Sequence, residues 1–511
     1  QRPAVLCIGP TGENLSSLAC LMHDLHGAGQ GGFGAVFGSK NLKAISVTGT
    51  GSIEIAYPQA LLDAWLWWKE NFQYDVDNPR RISPDPSVIA RWSVLVRSPA
   101  GGTLGPVVEP SRPHACQACG AACGMRTQSG IRNEGTCMEA SFSNLFEAAP
   151  KVWQKGIVTD LIQYAGINSA SVGIIAYLRD LYKMGILGPG KAIDCDLPFE
   201  KYGTREFIEA FIKAIAYREG IGEDLASGPA RAAKKWGRYD EDTASGLLPL
   251  PNWGYRQHYE PRAEVEWSYG SLLGDRDINE HGINHVVMWL PMLAAGIGVE
   301  PYFSAQKLAE IMASKVPPYE GDPFMFDYSE GPTGIYSEHR AKTIAWHRHY
   351  TRFWKQSALY CDWMWPLFVS PNAADMLGPT PEGEPKFFNA VTGKDLSFND
   401  GMEIGRKIWN LDRSIWALQG RHRDMEVFSE YVYNVPTTTP YYLPIHENGK
   451  WSYSNCIGRT LSRTGFEDWK TKYYKLEGWD PSSGWPTRNT LEEQGLKKVA
   501  DELQSKGKLG S

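Results

Sequence analysis

Three cysteines stand within eight residues, in the run His114-Ala-Cys116-Gln-Ala-Cys119-Gly-Ala-Ala-Cys123-Gly. Three thiolates on one loop can wrap a single metal centre. The Gly and Ala between them let the backbone fold round an iron–sulfur cubane and point N–H groups at its sulfurs. Spacing alone leaves two centres open. Zn2+ needs a nitrogen ligand, which His114 supplies. A cluster needs a fourth cysteine, for which Cys137, Cys195, Cys361 and Cys456 are the candidates.

A second chemical signal is Gly29-Gln30-Gly31-Gly32-Phe33-Gly34, which matches the dinucleotide pattern G-x-G-x-x-G. That fingerprint needs a strand before it and a helix after it. Apolar spacing predicts the reverse order, with a helix from about Glu13 to His26 before the glycines and strands at Ala35–Phe37 and Leu42–Val47 after them. A nicotinamide site is therefore not expected. Lacking Cβ atoms, Gly31, Gly32 and Gly34 let backbone N–H groups approach a flat or anionic ligand; a tight loop with no ligand is the plainer reading.

These residues need a scaffold, and 511 residues is too long for one ordinary core. Two or three domains of roughly 100 to 250 residues are expected. With 42% apolar and 22% charged residues the chain is globular, neither disordered nor fibrous. The net charge of −6, with both signs interspersed, offers no basic stripe, so nucleic acid is not an expected partner. No run approaches the roughly 18 apolar residues that cross a bilayer, and no basic-then-apolar leader opens the chain. Nine cysteines, an odd number with metal-ligand spacing, predict a reducing, cytoplasmic setting.

Ala4–Ile8 reads as a strand already inside a fold. Helical spacing recurs at Tyr57–Gln73, at Ser169–Met184 with Gly185 as C-cap, at Ala305–Ser314 and at Met402–Leu418. The proline- and glycine-marked stretch Gly246–Pro261 reads as a linker. Among 19 tryptophans, Trp253, Trp267, Trp289, Trp346, Trp354, Trp363 and Trp365 read as large core residues, with a dry aromatic pocket as the second reading.

Residues 29–48, GQGGFGAVFGSKNLKAISVT, resemble the glycine loop of the tungsten aldehyde:ferredoxin oxidoreductase superfamily, and that family's C-x-x-C-x-x-x-C follows at 116–123. Asn389-Ala-Val-Thr-Gly393 and Gly405-Arg406-Lys-Ile-Trp-Asn-Leu-Asp-Arg413 resemble its C-terminal domain. The chain is identified as a member, and within the superfamily it most resembles the active-site subunits of class II benzoyl-CoA reductases. The resemblance implies an α+β fold. Residues 1–50 are the tail of an α/β domain that covers two pterins. Two mainly helical domains follow, 51–245 with the cysteine loop and 246–511 with the fourth cluster ligand.

The implied cofactors are tungsten held by two pyranopterins, a 4Fe-4S cluster and Mg2+ bridging the pterin phosphates. The family's D-x-x-G-L-C motif falls on Gln356-Ser-Ala-Leu-Tyr360-Cys361, which makes Cys361 the fourth cluster ligand beside Cys116, Cys119 and Cys123. Its D-x-x-G-L-D motif falls on Gln163-Tyr-Ala-Gly166-Ile167-Asn168. Both aspartates have become amides, which still accept from a pterin N–H but carry no charge. Pterin contacts are thus expected from Gln30, Gly31, Gly32, Gly34, Gln163, Gly166, Ile167, Asn168, Gln356 and Tyr360. Gln30 replaces the family's arginine, which weakens phosphate recognition there.

Where aldehyde oxidases carry a glutamate, this chain reads Gly135-Thr136-Cys137-Met138-Glu139. A carboxylate base has become a thiol, and a thiolate beside a metal is a ligand, so Cys137 is expected on tungsten. The stretch Arg276–His281 matches the family's active-site histidine, which makes His281 the expected proton donor and Glu280 a weaker one. His285 lies one helical turn later. His339, His347 and His349 read as polar positions on a helix. The expected reaction is two-electron reduction of benzoyl-CoA to a cyclic dienoyl-CoA, with electrons from an iron–sulfur subunit or ferredoxin, in an oligomer. The alternatives are an aldehyde oxidoreductase and a non-catalytic iron–sulfur or zinc-binding electron-transfer subunit.

Overall fold

Short apolar runs broken by glycine, proline and asparagine open the chain, and they fold as antiparallel strands. The computed structural model of the protein describes residues 3–23, 26–28, 31–72, 111–114, 124–127, 134–135, 161–168, 174–254, 257, 260–274, 283, 287, 290–296, 298, 300–301, 303–356, 365–369 and 377–511. Its first elements are β1 (Ala4–Cys7), α1 (Pro10–Glu13), β2 (Leu21–His23), β3 (His26–Ala28), α2 (Phe33–Ser39) and β4 (Ala44–Val47). The strands form one sheet in the order β3-β2-β1-β4, every pair antiparallel.

Two expectations fail here. The helix predicted over Glu13–His26 stops at Glu13, because the Asn14 amide donates back to the Pro10 carbonyl (2.9 Å) and Leu15 takes φ +58. The leucines beyond it are helically spaced, yet they are committed to tertiary pairing. Ala35–Phe37 is helical rather than extended, because Gly32 at φ +70 starts α2 and α2 packs on α1. That packing is backbone against backbone, since a Cβ on Gly38 would lie 1.9 Å from the Gly12 carbonyl oxygen. The glycine pattern therefore does follow a strand and open a helix. A dinucleotide fold fails on strand direction instead, since α2 leads into a strand antiparallel to β1.

By packing, the protein has two units, Gln1–Ser52 with Arg97–His258 and Ile53–Val96 with Tyr259–Ser511. The later division falls inside the Gly246–Pro261 stretch. Helix α3 (Pro58–Asn71), which the sequence placed with the middle segment, belongs to the second unit.

The first unit continues with a three-stranded antiparallel sheet, β5 (Ser111–His114), β6 (Gly124–Thr127) and β7 (Glu134–Gly135). Helix α4 (Ile174–Lys183) ends at Gly185 with φ +72, as its sequence predicts. Helix α5 (Arg205–Tyr217) starts at Thr204, whose hydroxyl accepts from the Phe207 N–H at 3.3 Å. Their apolar faces bury Leu178, Phe207 and Phe211 completely, in one core with Leu18, Ile162 and Ile167. That core holds two segments far apart in sequence at one place.

In the second unit, α6 (Val265–Leu273) is buried along its whole length. The helix predicted at Ala305–Ser314 spans Ala305–Ala313. Helix α7 (Glu338–Tyr350) runs into a π-helical turn, Thr351–Lys355, a distortion found often at functional sites. Helix α8 (Gly383–Thr392) packs on α3. Helix α9 (Phe398–Leu418) begins four residues before its predicted start, because Ser397 and Asp400 form a capping box. Gly401 and Gly405 lie one turn apart on α9 and let it touch α7 and the π turn. A Cβ on Gly405 would meet the His349 carbonyl oxygen at 1.9 Å, and one on Gly401 the Trp354 ring at 2.3 Å.

Trp267, Trp346, Trp354 and Trp365 are core residues. Buried indoles keep hydrogen bonds, Trp354 to the Phe398 carbonyl and Trp346 to that of Pro317, both 3.1 Å. Strands β8 (Tyr442–Glu447) and β9 (Lys450–Asn455) make a hairpin on Asn448-Gly449, both at positive φ as a two-residue turn requires. Helix α10 (Arg463–Glu477) covers α7 from another side. The fold is α+β, mainly helical with small antiparallel sheets.

Candidate functional site

The expected pterin-contacting segments of the first unit converge on one short strand-like stretch, Ser17–Cys20. The Cys20 N–H donates to the Gly166 carbonyl (2.9 Å), the Asn168 N–H to the Leu18 carbonyl (2.8 Å), and Ala19 bridges Ile167 antiparallel. On the glycine-loop side the Gly34 N–H donates to the Ala19 carbonyl at 3.3 Å, and a Cβ on Gly32 would lie 2.8 Å from the Ser17 carbonyl oxygen. Residues 31–34 and 163–168 thus flank the same backbone. Gly166 must be glycine on two counts, since its φ is +68 and a Cβ would sit 2.8 Å from the Gly9 nitrogen.

This changes what the glycines do. Gly32 and Gly34 serve chain-on-chain packing, and the Gly34 N–H is already used inside the protein. Gly31, exposed and at φ +102, is the loop glycine left facing outward. Gly166→Ala is expected to destabilise the first unit by about 1 to 3 kcal/mol through overpacking against Gly9. A thermal melt of the variant checks this, and an unchanged midpoint contradicts the close approach.

Gln163 and Asn168 are each 8% exposed, so their amides are held in the interior. Thr11 is fully buried and its hydroxyl has no hydrogen-bond partner among the described residues. Neutral amides, a spare hydroxyl and closely apposed backbone suit a flat ligand with donor and acceptor edges. They fit a pterin better than a free phosphate, which calls for cations.

The metal-binding expectations centre on the second sheet. β5 pairs His114 with Gly124, so the ends of the segment carrying Cys116, Cys119 and Cys123 are strand neighbours. β6 pairs Met125 with Gly135, so the residue two beyond Cys123 lies opposite the residue two before Cys137. The sheet ties the approach to Cys137 to the exit from the cysteine run. Cys116, Cys119, Cys123, Cys137, Cys361, Gln30, Tyr360, Glu280, His281 and His285 themselves lie outside the described residues. Gln356, exposed, ends the π turn.

Two rival cluster ligands, Cys195 and Cys456, lie among the described residues. Cys195 is 2% exposed in the apolar core, and burial pushes its thiol up to about 11. Cys456 is buried too, and its thiol is also raised by burial. Both sit among packed neighbours, Cys195 in the apolar core of the first unit and Cys456 beside the Thr439 carbonyl at 3.9 Å. No cluster of three or more ligating side chains occurs among the described residues.

The helical histidines differ from expectation. His339 is partly exposed, with Nδ1 2.8 Å from Asp322, but His347 and His349 are buried, because α9 and α10 cover α7. His349 Nε2 lies 2.9 Å from Glu477. Burial raises the Glu477 carboxyl, but the His349 charge and hydrogen bond outweigh it and leave it below its ordinary value. Sequence reading also missed two wholly buried carboxyls that burial pushes up to about 7, Glu266 and Glu384. Glu266 lies in the run Val265-Glu266-Trp267 with a near-uniformly apolar helix around it, a visible sign of an acid inside a core.

Residues 1–49 match the family description "Aldehyde ferredoxin oxidoreductase, N-terminal domain", and residues 106–496 match "Aldehyde ferredoxin oxidoreductase, domains 2 & 3". The tungsten-containing aldehyde ferredoxin oxidoreductase of Pyrococcus furiosus is 25% identical over 97% of this chain and 74% of its own length. That of Thermococcus kodakarensis is 24% identical over 80% of this chain and 62% of its own length. Among solved structures, the active-site complex BamBC of benzoyl coenzyme A reductase, in complex with 1,5-dienoyl-CoA, shares the fold. Its TM-score is 0.66 at 20% identity, over all of this chain and 76% of that one. With the family match covering most of its length, this chain belongs to the aldehyde ferredoxin oxidoreductase family.

Proposed function

We propose that this chain carries the active site of a tungsten-pterin, iron–sulfur oxidoreductase that reduces the ring of benzoyl-CoA to a cyclic dienoyl-CoA. The observation that carries the reading is the β5-β6-β7 register, which sets the approach to Cys137 beside the exit from the cysteine run. Cys116, Cys119, Cys123 and Cys361 would hold a 4Fe-4S cluster, and Cys137 the tungsten. Gly31, Gln163 and Asn168 would meet the pterins with neutral donors and acceptors. When bound, the metal supplies strongly reducing electrons, delivered through the cluster from a ferredoxin or an iron–sulfur partner subunit.

Ring reduction adds two electrons and two protons to the substrate. His281 would give a proton to the ring, with Glu280 as a second donor, and water would be kept out so that electrons are not spent on protons. Likeness of fold to the benzoyl-CoA reductase complex supports this reading. A second reading, oxidation of an aldehyde to an acid, is supported by the curated relatives. Thiol in place of the aldehyde oxidases' glutamate favours the first. Element analysis of the purified protein tests the shared part. Tungsten with about four irons per chain is expected; iron or zinc without tungsten would instead mean an electron-transfer subunit.

A further inference from the structure

The second unit contains a cluster of polar atoms that its folding alone does not satisfy. Both carboxylate oxygens of Glu266, the Nε and Nη1 of Arg340, and the hydroxyls of Tyr269 and Tyr328 are buried with no hydrogen-bond partner among the described residues. They are neighbours. Arg340 Nη1 lies 4.0 Å from a Glu266 oxygen, and the Arg340 guanidinium lies 4.2 Å over the Tyr328 ring. The Tyr328 hydroxyl is close enough to the Glu266 carboxyl to favour its ionised form as a hydrogen-bonding neighbour, although the pair falls short of a well-aligned hydrogen bond. Tyr269 lies one turn along α6 from Glu266 and packs its ring 4.3 Å from that of Trp469 on α10.

Buried polar groups in native proteins are almost always hydrogen-bonded. A separation of 4.0 Å is too long for a direct bond and suits a bridge through water. Buried waters make about three hydrogen bonds each, so about two waters account for the six atoms. We propose that Glu266, Arg340, Tyr269 and Tyr328 form a buried, hydrated proton-binding site, in which the Glu266 carboxyl takes up and releases one proton through water. The exchange balances as a carboxylate and a hydronium giving a carboxyl and a water.

The surroundings favour reversible loading over permanent charge. The one cation facing Glu266 among the described residues is Arg340 on α7. Arg459, Tyr336 and Tyr433 lie round Tyr269, and Arg459 is engaged with the Tyr328 carbonyl at 2.8 Å. Asp327 is the nearest other acid in sequence to Tyr328, and it is tied to Ser329, Thr333 and the His446 N–H. Burial raises the Glu266 carboxyl to about 7, within reach of neutral pH.

Infrared difference spectra of the full chain between about pH 5.5 and about pH 8.5 test the site, because ordinary carboxyls are ionised across that range. The protonated-carboxyl band that titrates in this window and shifts in heavy water is expected in the parent to combine Glu266 with Glu384, the other carboxyl that burial raises to about 7, and its Glu266 part is expected to be lost from Glu266→Gln. The same variant should melt near the parent temperature at the acid end and above it at the alkaline end. The sign follows from a raised carboxyl, which loses stability as pH climbs from its unfolded value towards its folded one. Tyr328→Phe, which keeps the ring, is expected to shift the titration upward by removing a polar neighbour of the carboxylate. A band of undiminished intensity in Glu266→Gln, or a parent with no carboxyl titrating in the window, overturns the proposal.

Discussion

A Cys137→Ser variant is expected to fold, keep its full iron content and lose ring reduction by at least about a hundredfold, more than losses at residues that only support a metal's ligands. Gly135 is paired with Met125, so the chain enters the Cys137 segment from a fixed strand beside the exit from the cysteine run. A serine hydroxyl at position 137 is nearly isosteric with the thiol but is a poor ligand for a soft site, so the change should act on the metal and not on the scaffold. X-ray absorption at the tungsten edge reads this directly. One sulfur fewer in the variant is expected, and an unchanged sulfur count contradicts ligation by Cys137.

Cys361→Ser should have an effect of similar size by a different route. Its iron is expected to fall from about four per chain to a small fraction of that, with electron delivery lost, because a cubane released by one of four thiolates is readily degraded. The competing assignments make the result informative. Cys195 sits in the apolar core of the first unit with its thiol raised to about 11, and Cys456 is buried with its thiol raised as well. Cys195→Ala and Cys456→Ala should therefore keep their iron. If iron survives in Cys361→Ser and vanishes in either of the others, the ligand set is wrong.

Much of the scaffold was legible because it depends on local rules. Helices α3, α4 and α9 follow apolar periodicity, and Gly185 ends its helix at positive φ as expected. The Asn448-Gly449 hairpin was readable by the same kind of rule, although it went unread. The opening region was not legible, since Leu15, Leu18, Leu21 and Met22 keep helical spacing while the backbone of 17–20 is used for pairing with 166–168. Periodicity records which face is apolar and says nothing about which distant strand takes the hydrogen bonds. The glycine pattern misled for a related reason, since Gly32 and Gly34 face carbonyls of Ser17 and Cys20 that no spacing rule brings near them.

The candidate site divides in the same way. Its proposed ligands come from spacing and resemblance, while the strand pairing around them, His114 opposite Gly124 and Met125 opposite Gly135, is a matter of register. Buried polar residues were the least legible. His347 and His349 look like solvent positions because α7 has no clear apolar stripe, yet neighbours on more than one side bury it. Glu266 was passed over for the opposite reason, as a single acid in a helix otherwise fit for the core.

Product analysis after anaerobic incubation with a low-potential electron donor tests ring reduction by this protein directly. The protein, produced with tungstate, is offered benzoyl-CoA in one reaction and, with an electron acceptor, benzaldehyde in another. A cyclic dienoyl-CoA is expected from the first and little or no benzoate from the second. Benzoate from the aldehyde, with benzoyl-CoA returned unchanged by the same metal-loaded protein, would contradict it.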